Sequence, residues 1–187
     1  WTYYNLMNQP RSPVHPVRGG GLPYLGLPLK ADDVDAAIAR AGATIRVQRP
    51  DDVAAESARR LAAGQVLGWF QGRSEVGPRA LGHRSIVADP RSIETWNRVN
   101  TIKGRELWRP LAPSVLEEHA TTWFKNMPAH SPFMMFVGDV VRDDVQAIAH
   151  VDNTARVQTV SPECGRYYDL IPTMQLPCCA MAGSTPS

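Results

Sequence analysis

An α/β (α+β) fold, with helices flanking a mixed sheet, is what this 187-residue sequence predicts, and three observations carry it. Two successive segments repeat apolar residues at helical spacing, each opening on Asp and closing on Gly. Short branched and aromatic runs of strand length follow them. Glycine- and proline-rich loops separate the two kinds of element.

Residues 1–31 hold Pro10, Pro13, Pro16, Pro23 and Pro28 with Gly19, Gly20 and Gly21. Such a density of breakers forbids a long helix and marks a linker, or the remnant of a preceding domain, with a boundary near Lys30. The first residue is Trp1 rather than Met, which reads as the cut end of something longer. Asp32 is placed to cap a helix with the stripe Val34, Ala37, Ile38 and Ala41, ended by Gly42. Asp51 caps a second, with Val53, Ala54, Ala58, Leu61 and Ala62 inward and Gly64 as its left-handed end. Gln65–Phe70 reads as a buried strand. Gly72, Gly77, Pro78 and Gly82 stand too close for regular structure, so Gly72–Ser85 is a loop leaving that strand. Ser85–Ala88 is a strand, and Ser92–Ile102 a helix with Ile93, Trp96, Val99 and Asn100 near its inner face. Pro110–Leu116 is apolar but broken by proline, hence an edge strand or extended segment. Pro132–Gly138, Ala147–Val151 and Ala155–Val160 read as three more strands. Pro172–Ser187 has neither charge nor periodicity and reads as an aberrant or disordered tail, leaving 32–171 as the folded domain.

With 43% hydrophobic and 20% charged residues and a net charge of +2, the composition excludes a disordered or collagen-like chain. No apolar run approaches the roughly 20 residues needed to cross a bilayer. Neither a membrane protein nor a secreted precursor is expected. Cys164, Cys178 and Cys179 fit neither a disulfide framework nor a tetrahedral zinc site, which points to a reducing, cytoplasmic compartment. No HxxxH, HExxH or CxxC pair occurs, and no serine sits in a nucleophile elbow, so neither a metal site nor covalent catalysis is assigned.

Eight of the twenty Lys and Arg residues fall between Gly72 and Pro110: Arg73, Arg79, Arg84, Arg91, Arg98, Lys103, Arg105 and Arg109. Against them stand Glu75, Asp89, Glu94 and Glu106. A guanidinium among apolar and glycine residues needs a partner, and its planar fork suits phosphate or carboxylate. A phosphate-bearing ligand satisfies both the cations and the glycines, although ion pairs with neighbouring acids would satisfy the cations as well. The loop is neither a Walker A sequence nor a dinucleotide fingerprint. His150 and Arg156, with Asp152 between them, stand where one strand end projects into a pocket or a structural network.

Gly72–Ile86, Ala88–Arg91, Ile102–Glu106 and Arg109–Leu116, with His150–Val160 further on, resemble the C-terminal region of the O-carbamoyltransferases of the nodulation-factor and antibiotic-tailoring type. The resemblance runs from about Gln65 to Ile171. It implies a YrdC-like twisted mixed sheet that makes a carbamoyl adenylate from carbamoyl phosphate and ATP, with Mg2+ accompanying the nucleotide. It further implies a preceding actin/Hsp70-like domain, holding Fe2+, that passes the carbamoyl group to a hydroxyl of a small molecule such as a natural product or sugar. That metal-binding domain is the expected partner; neither membrane nor nucleic acid is. Carried over residue by residue, the resemblance makes Lys103 and Arg109 the catalytic contacts and Arg79, Arg84 and Arg156 the phosphate contacts. Arg73 and Arg105 are of second rank, set against Glu75 and Glu106, and His150 joins the phosphate-binding set. His83 stands where the family usually has Asn, and Asn153 where it has Gly. Beyond Ile171 the family continues into a strand and an Asn-rich loop that Pro172–Ser187 does not repeat. Three other readings stay open: a threonylcarbamoyl-adenylate synthase-like enzyme, a nucleic-acid-binding module whose Trp69, Phe70, Trp96 and Trp108 are read instead as core, and an inactive structural fragment.

Overall fold

The computed structural model describes residues 23–28 and 30–174, and the backbone of Cys178–Gly183. The expected linker therefore lies largely outside the described residues, whereas 172–174 and the backbone of 178–183 of the expected tail lie inside them.

Helix α1 (Ala31–Ala41) starts one residue before Asp32, with Lys30 at the cap position and no side-chain cap bond. Asp32 and Asp33 lie in its first turn, where the helix dipole favours negative charge, and Gly42 ends it at φ +53°. No α1 residue is buried, although Ile38 and Ala41 of its apolar stripe are partly so. Helix α2 (Val53–Ala62) is capped by Asp52 rather than Asp51, the carboxylate accepting the Ala55 N–H at 3.0 Å. Its Ala54, Ala58 and Leu61 are buried against α5 (Arg166–Thr173), which buries Tyr167, Leu170 and Ile171 in return.

Strands β1 (Leu67–Phe70), β2 (Arg84–Ala88), β3 (Ala112–Leu116) and β7 (Gln158–Val160) join β8 (Cys178–Gly183) in a five-stranded mixed sheet of order β1-β2-β8-β3-β7. The stretch expected as a tail thus supplies a strand between β2 and β3, paired antiparallel to both. A second sheet, ordered β4-β5-β6, comprises β4 (Phe124–Lys125), β5 (Val137–Val140) and β6 (Thr154–Arg156). Helix α3 (Ile93–Ile102), capped by Ser92, follows β2, and the short α4 (Ala120–Trp123) leads into β4. One apolar core joins Leu61, Trp69, Val87, Leu116, Val160 and Tyr167; the other joins Val99, Val115, Phe124, Val140, Ile148 and Val157. Val115 and Leu116 go to different cores, the alternation a strand buried on both faces requires.

Further sequence expectations need correction. Gln65–Phe70, expected as a buried strand, forms β1 at the edge of its sheet with only Trp69 buried. The Pro110–Leu116 segment is no edge: β3 lies between β8 and β7 with every residue buried. Pro113 stands opposite Ala180 of β8, one residue before the parallel ladder with β7 begins at Ser114. Within Pro132–Gly138 only Val137 and Gly138 enter a strand, since Met134 takes φ +53° and interrupts extended backbone. Ala147–Val151 pairs with no strand: Ile148 N–H turns back to Val145 O at 3.2 Å, and Ala147 and Ile148 are wholly buried as core. The run Ala155–Val160 serves two sheets, changing partners at Val157, whose N–H donates to Phe136 O at 3.3 Å.

Candidate functional site

The Gly72–Arg84 loop is organised by a residue that the sequence left as a counter-charge. One carboxylate oxygen of Glu75 accepts the backbone N–H groups of Leu81 at 2.7 Å, His83 at 2.9 Å and Arg84 at 3.2 Å. Arg84 does similar work from the strand side, donating to Gln71 O at 2.7 Å, His83 O at 2.9 Å and Gly72 O at 3.1 Å. Its guanidinium also lies 3.4 Å from the Phe70 ring centroid, and desolvation holds it below the ordinary arginine value. Arg73 reaches back to Gly26 O at 3.2 Å rather than to Glu75. His83, where an Asn was expected, stacks on Tyr24 with centroids 3.5 Å apart. Burial lowers its pKa below the usual value for histidine. Buried Gln158 ties the loop to the sheet, donating to Leu81 O at 3.0 Å and accepting from Ser114 Oγ at 2.9 Å.

So braced, the loop walls a cleft of about 230 Å3 that Ser74, Glu75, Pro78, Arg79 and Arg84 line. Arg79 is only half-buried, yet its Nε is inaccessible and has no hydrogen-bond partner. An unpaired buried donor costs free energy, and here it belongs to a cation.

A second cleft of about 310 Å3 is lined by Arg105, Trp108, Arg109, His150 and Arg156. Its rim is the irregular segment after α3, held in place from below by Asn100, which is wholly buried. Asn100 Nδ2 donates to Leu107 O at 3.1 Å and to Arg109 O at 2.9 Å, while its Oδ1 accepts from Arg105 Nε. Trp96 Nε1 adds a bond of 2.6 Å to Arg109 O. Asn100→Ala is therefore expected to lower stability by about 1–3 kcal/mol, read from the urea unfolding midpoint, because buried polar groups lose their partner. Glu106 pairs with Arg109 at 2.8 Å rather than with Arg105, so one cation of the cleft carries its own counter-ion. Lys103 stands at the C-terminal end of α3, outside the residues lining either cleft. Burial, and then the charge of Arg105, lower its pKa. His150 is lowered chiefly by burial, with Asp152 opposing and Arg156 adding to the fall; its Nδ1 lies 3.3 Å from Thr154 Oγ1. Asn153, in the tight turn before β6, adopts φ +59°, a conformation Asn tolerates almost as Gly does.

The two clefts communicate through charge. Arg156, on β6, is held below the ordinary arginine value by desolvation and then by the neighbouring charge of Arg79. Among the described residues neither guanidinium has a carboxylate partner. The structure thus brings Arg79 and Arg84 to one cleft and Arg105, Arg109, His150 and Arg156 to the other; Arg73 joins neither. Sequence reasoning missed Glu75 and Asn100 as the residues that shape these walls, and it misplaced Trp108, which is 71% exposed. Phe70 is likewise exposed, beneath Arg84. Among the described residues no group of three or more His, Cys, Asp or Glu is arranged to hold a metal ion. Nor is any helix among them long and apolar enough to cross a membrane.

Comparison with known proteins falls on this same region. Nodulation protein NolNO of Sinorhizobium fredii is 50% identical over 133 residues, covering 68% of this chain and 20% of that protein. Nodulation protein NolO of Bradyrhizobium diazoefficiens is 50% identical over 132 residues, or 67% of this chain and 24% of its own length. The 3'-hydroxymethylcephem-O-carbamoyltransferase of Streptomyces clavuligerus is 44% identical over 102 residues, 54% of this chain and 19% of that enzyme. The chain spans about a fifth to a quarter of the length of these relatives. The family model described as carbamoyltransferase C-terminus matches residues 58–178, from α2 through both clefts to the first residue of β8, and the chain belongs to that family.

Proposed function

We propose that this chain is the carbamoyl-adenylate-forming part of an O-carbamoyltransferase, using carbamoyl phosphate and ATP ahead of transfer to a small-molecule hydroxyl. The observation that carries the reading is the Arg79–Arg156 pair, two neighbouring like charges of which neither is ion-paired among the described residues, with one buried donor unmet. Bringing guanidiniums together costs Coulomb energy, which an anion placed between them reverses. A phosphate supplies that charge, and its oxygens match both forks.

In the proposed reaction, water cleaves carbamoyl phosphate to carbamate and phosphate. A carbamate oxygen then attacks the α-phosphorus of ATP, forming the new P–O bond as the bond to pyrophosphate breaks. Charge grows on the departing phosphates, where fixed cations stabilise it without reorganising. Arg79 and Arg156 would hold that charge, and Arg105 and Arg109 would support it from the rim. Lys103 lines neither cleft, and its proposed contact with the carbamoyl-bearing substrate rests on the resemblance and on its place beside Arg105. Glu75 and Asn100 position these cations through the backbone. The acidic groups nearest the clefts are already committed, Glu75 to three N–H groups and Glu106 to Arg109. Any Mg2+ would thus enter on the nucleotide phosphates rather than in a protein cage.

Exchange of labelled pyrophosphate into ATP by the full chain, dependent on carbamoyl phosphate, is the expected result. Exchange that requires threonine and bicarbonate instead would assign the threonylcarbamoyl-adenylate reaction and overturn this reading.

A further inference from the structure

The phosphate reading leaves Trp108 unexplained. An indole 71% exposed is costly to keep on a surface, and this one lines the cleft with Arg105, Arg109 and Arg156. It is not loosely held. The carbonyls on either side of it, of Leu107 and Arg109, both accept from the buried Asn100 side chain, and Arg109 O also accepts from Trp96. The Arg109 guanidinium stands 5.5 Å from the Trp108 ring centroid, within cation–π range. The backbone that carries the indole is thus fixed beside a row of cations, one of which lies against the ring. Phosphate has no π-face and carbamoyl phosphate has only its small planar carbamoyl group; a nucleoside triphosphate has both an aromatic base and the charge.

We propose that Trp108 is the stacking platform for the nucleobase, so that the 310 Å3 cleft takes the nucleoside end of the triphosphate while its phosphates run toward Arg156 and Arg79. This rests on the phosphate-binding reading above and adds to it the residue that distinguishes a nucleotide from a bare polyphosphate. Stacking is tolerant of base identity, so Trp108 by itself favours nucleotides as a class rather than adenine over guanine.

Titration calorimetry on the full chain with ATP and with inorganic triphosphate tests it. Trp108→Ala is expected to weaken ATP by roughly 5- to 150-fold and to leave inorganic triphosphate within about twofold, with Trp108→Phe recovering most of the loss. Equal weakening of both ligands would mean that Trp108 only shapes the arginines, and no weakening of either would place the base elsewhere; each overturns the platform. If the unaltered protein binds ATP no better than inorganic triphosphate, the platform falls while the phosphate reading stands. If it binds neither, both fall.

Discussion

Arg156→Ala is expected to weaken binding of pyrophosphate and ATP by about 10- to 100-fold, the range for losing a charge-assisted hydrogen bond, while leaving the ligand-free protein as stable as before or slightly more so. The two effects differ in sign because the same charge plays opposite parts. Without an anion, Arg156 stands partly desolvated in the field of Arg79, and its removal relieves both costs. With an anion between them, the field becomes attraction and its removal is a loss. Arg79→Ala is expected to repeat the pattern, and in the double variant the second substitution should cost less than it does alone, since both guanidiniums serve one ligand. Arg109→Ala should cost less than either, because Glu106 already lies 2.8 Å from it. Thermal melts and calorimetry on the same samples decide the matter. A lowered melting temperature with unchanged pyrophosphate affinity would make Arg156 a structural cation.

How much of this was legible in the sequence depends on the range of the interaction that fixes each feature. Helix ends governed by local backbone chemistry could be read: Gly42 and Gly64 take positive φ where they were expected to, and Asp52 caps α2 one residue from the position assigned. The clustering of cations on the Gly72–Arg84 loop and beyond α3 was legible too, because it is a property of composition along the chain. Which cations remain without a counter-ion was not legible, for that is settled by contacts across the fold. Arg84 looked like a phosphate ligand and spends three donors on loop carbonyls; Glu106 was set against Arg105 and pairs with Arg109. Strand identity failed where one apolar run serves two partners, as at Val157, or where a buried run turns without pairing, as at Ile148. Trp108 failed for a related reason. Hydrophobic pattern locates an aromatic residue in a segment, but only the anchoring of its neighbours by Asn100 turns it outward.

Gly82→Ala is expected to produce a large loss of stability for a single-methyl change. Gly82 sits at φ +97°, and a Cβ there would lie 2.3 Å from Tyr167 Cδ1 and 2.6 Å from its Cε1. Neither side can yield. Tyr167 is wholly buried on α5 and packs near Trp69, with ring centroids 6.1 Å apart. The glycine's own N–H donates to Ser85 Oγ at 3.0 Å, and the residues on either side of it are bound to Glu75. The backbone conformation costs an L-residue about 1–2 kcal/mol and overpacking about 1–3 kcal/mol, so a loss of roughly 2–5 kcal/mol is expected. Gly64 supplies the comparison: it has φ +77° with nothing within 4 Å of a built Cβ, so Gly64→Ala should carry the conformational cost alone. Urea unfolding of both variants separates the two causes, and equal losses would refute the clash with Tyr167. Because the shifted loop also carries Arg79 and Arg84, Gly82→Ala should weaken pyrophosphate binding even under conditions where the protein is still folded, whereas Gly64→Ala, at the far end of α2, should not.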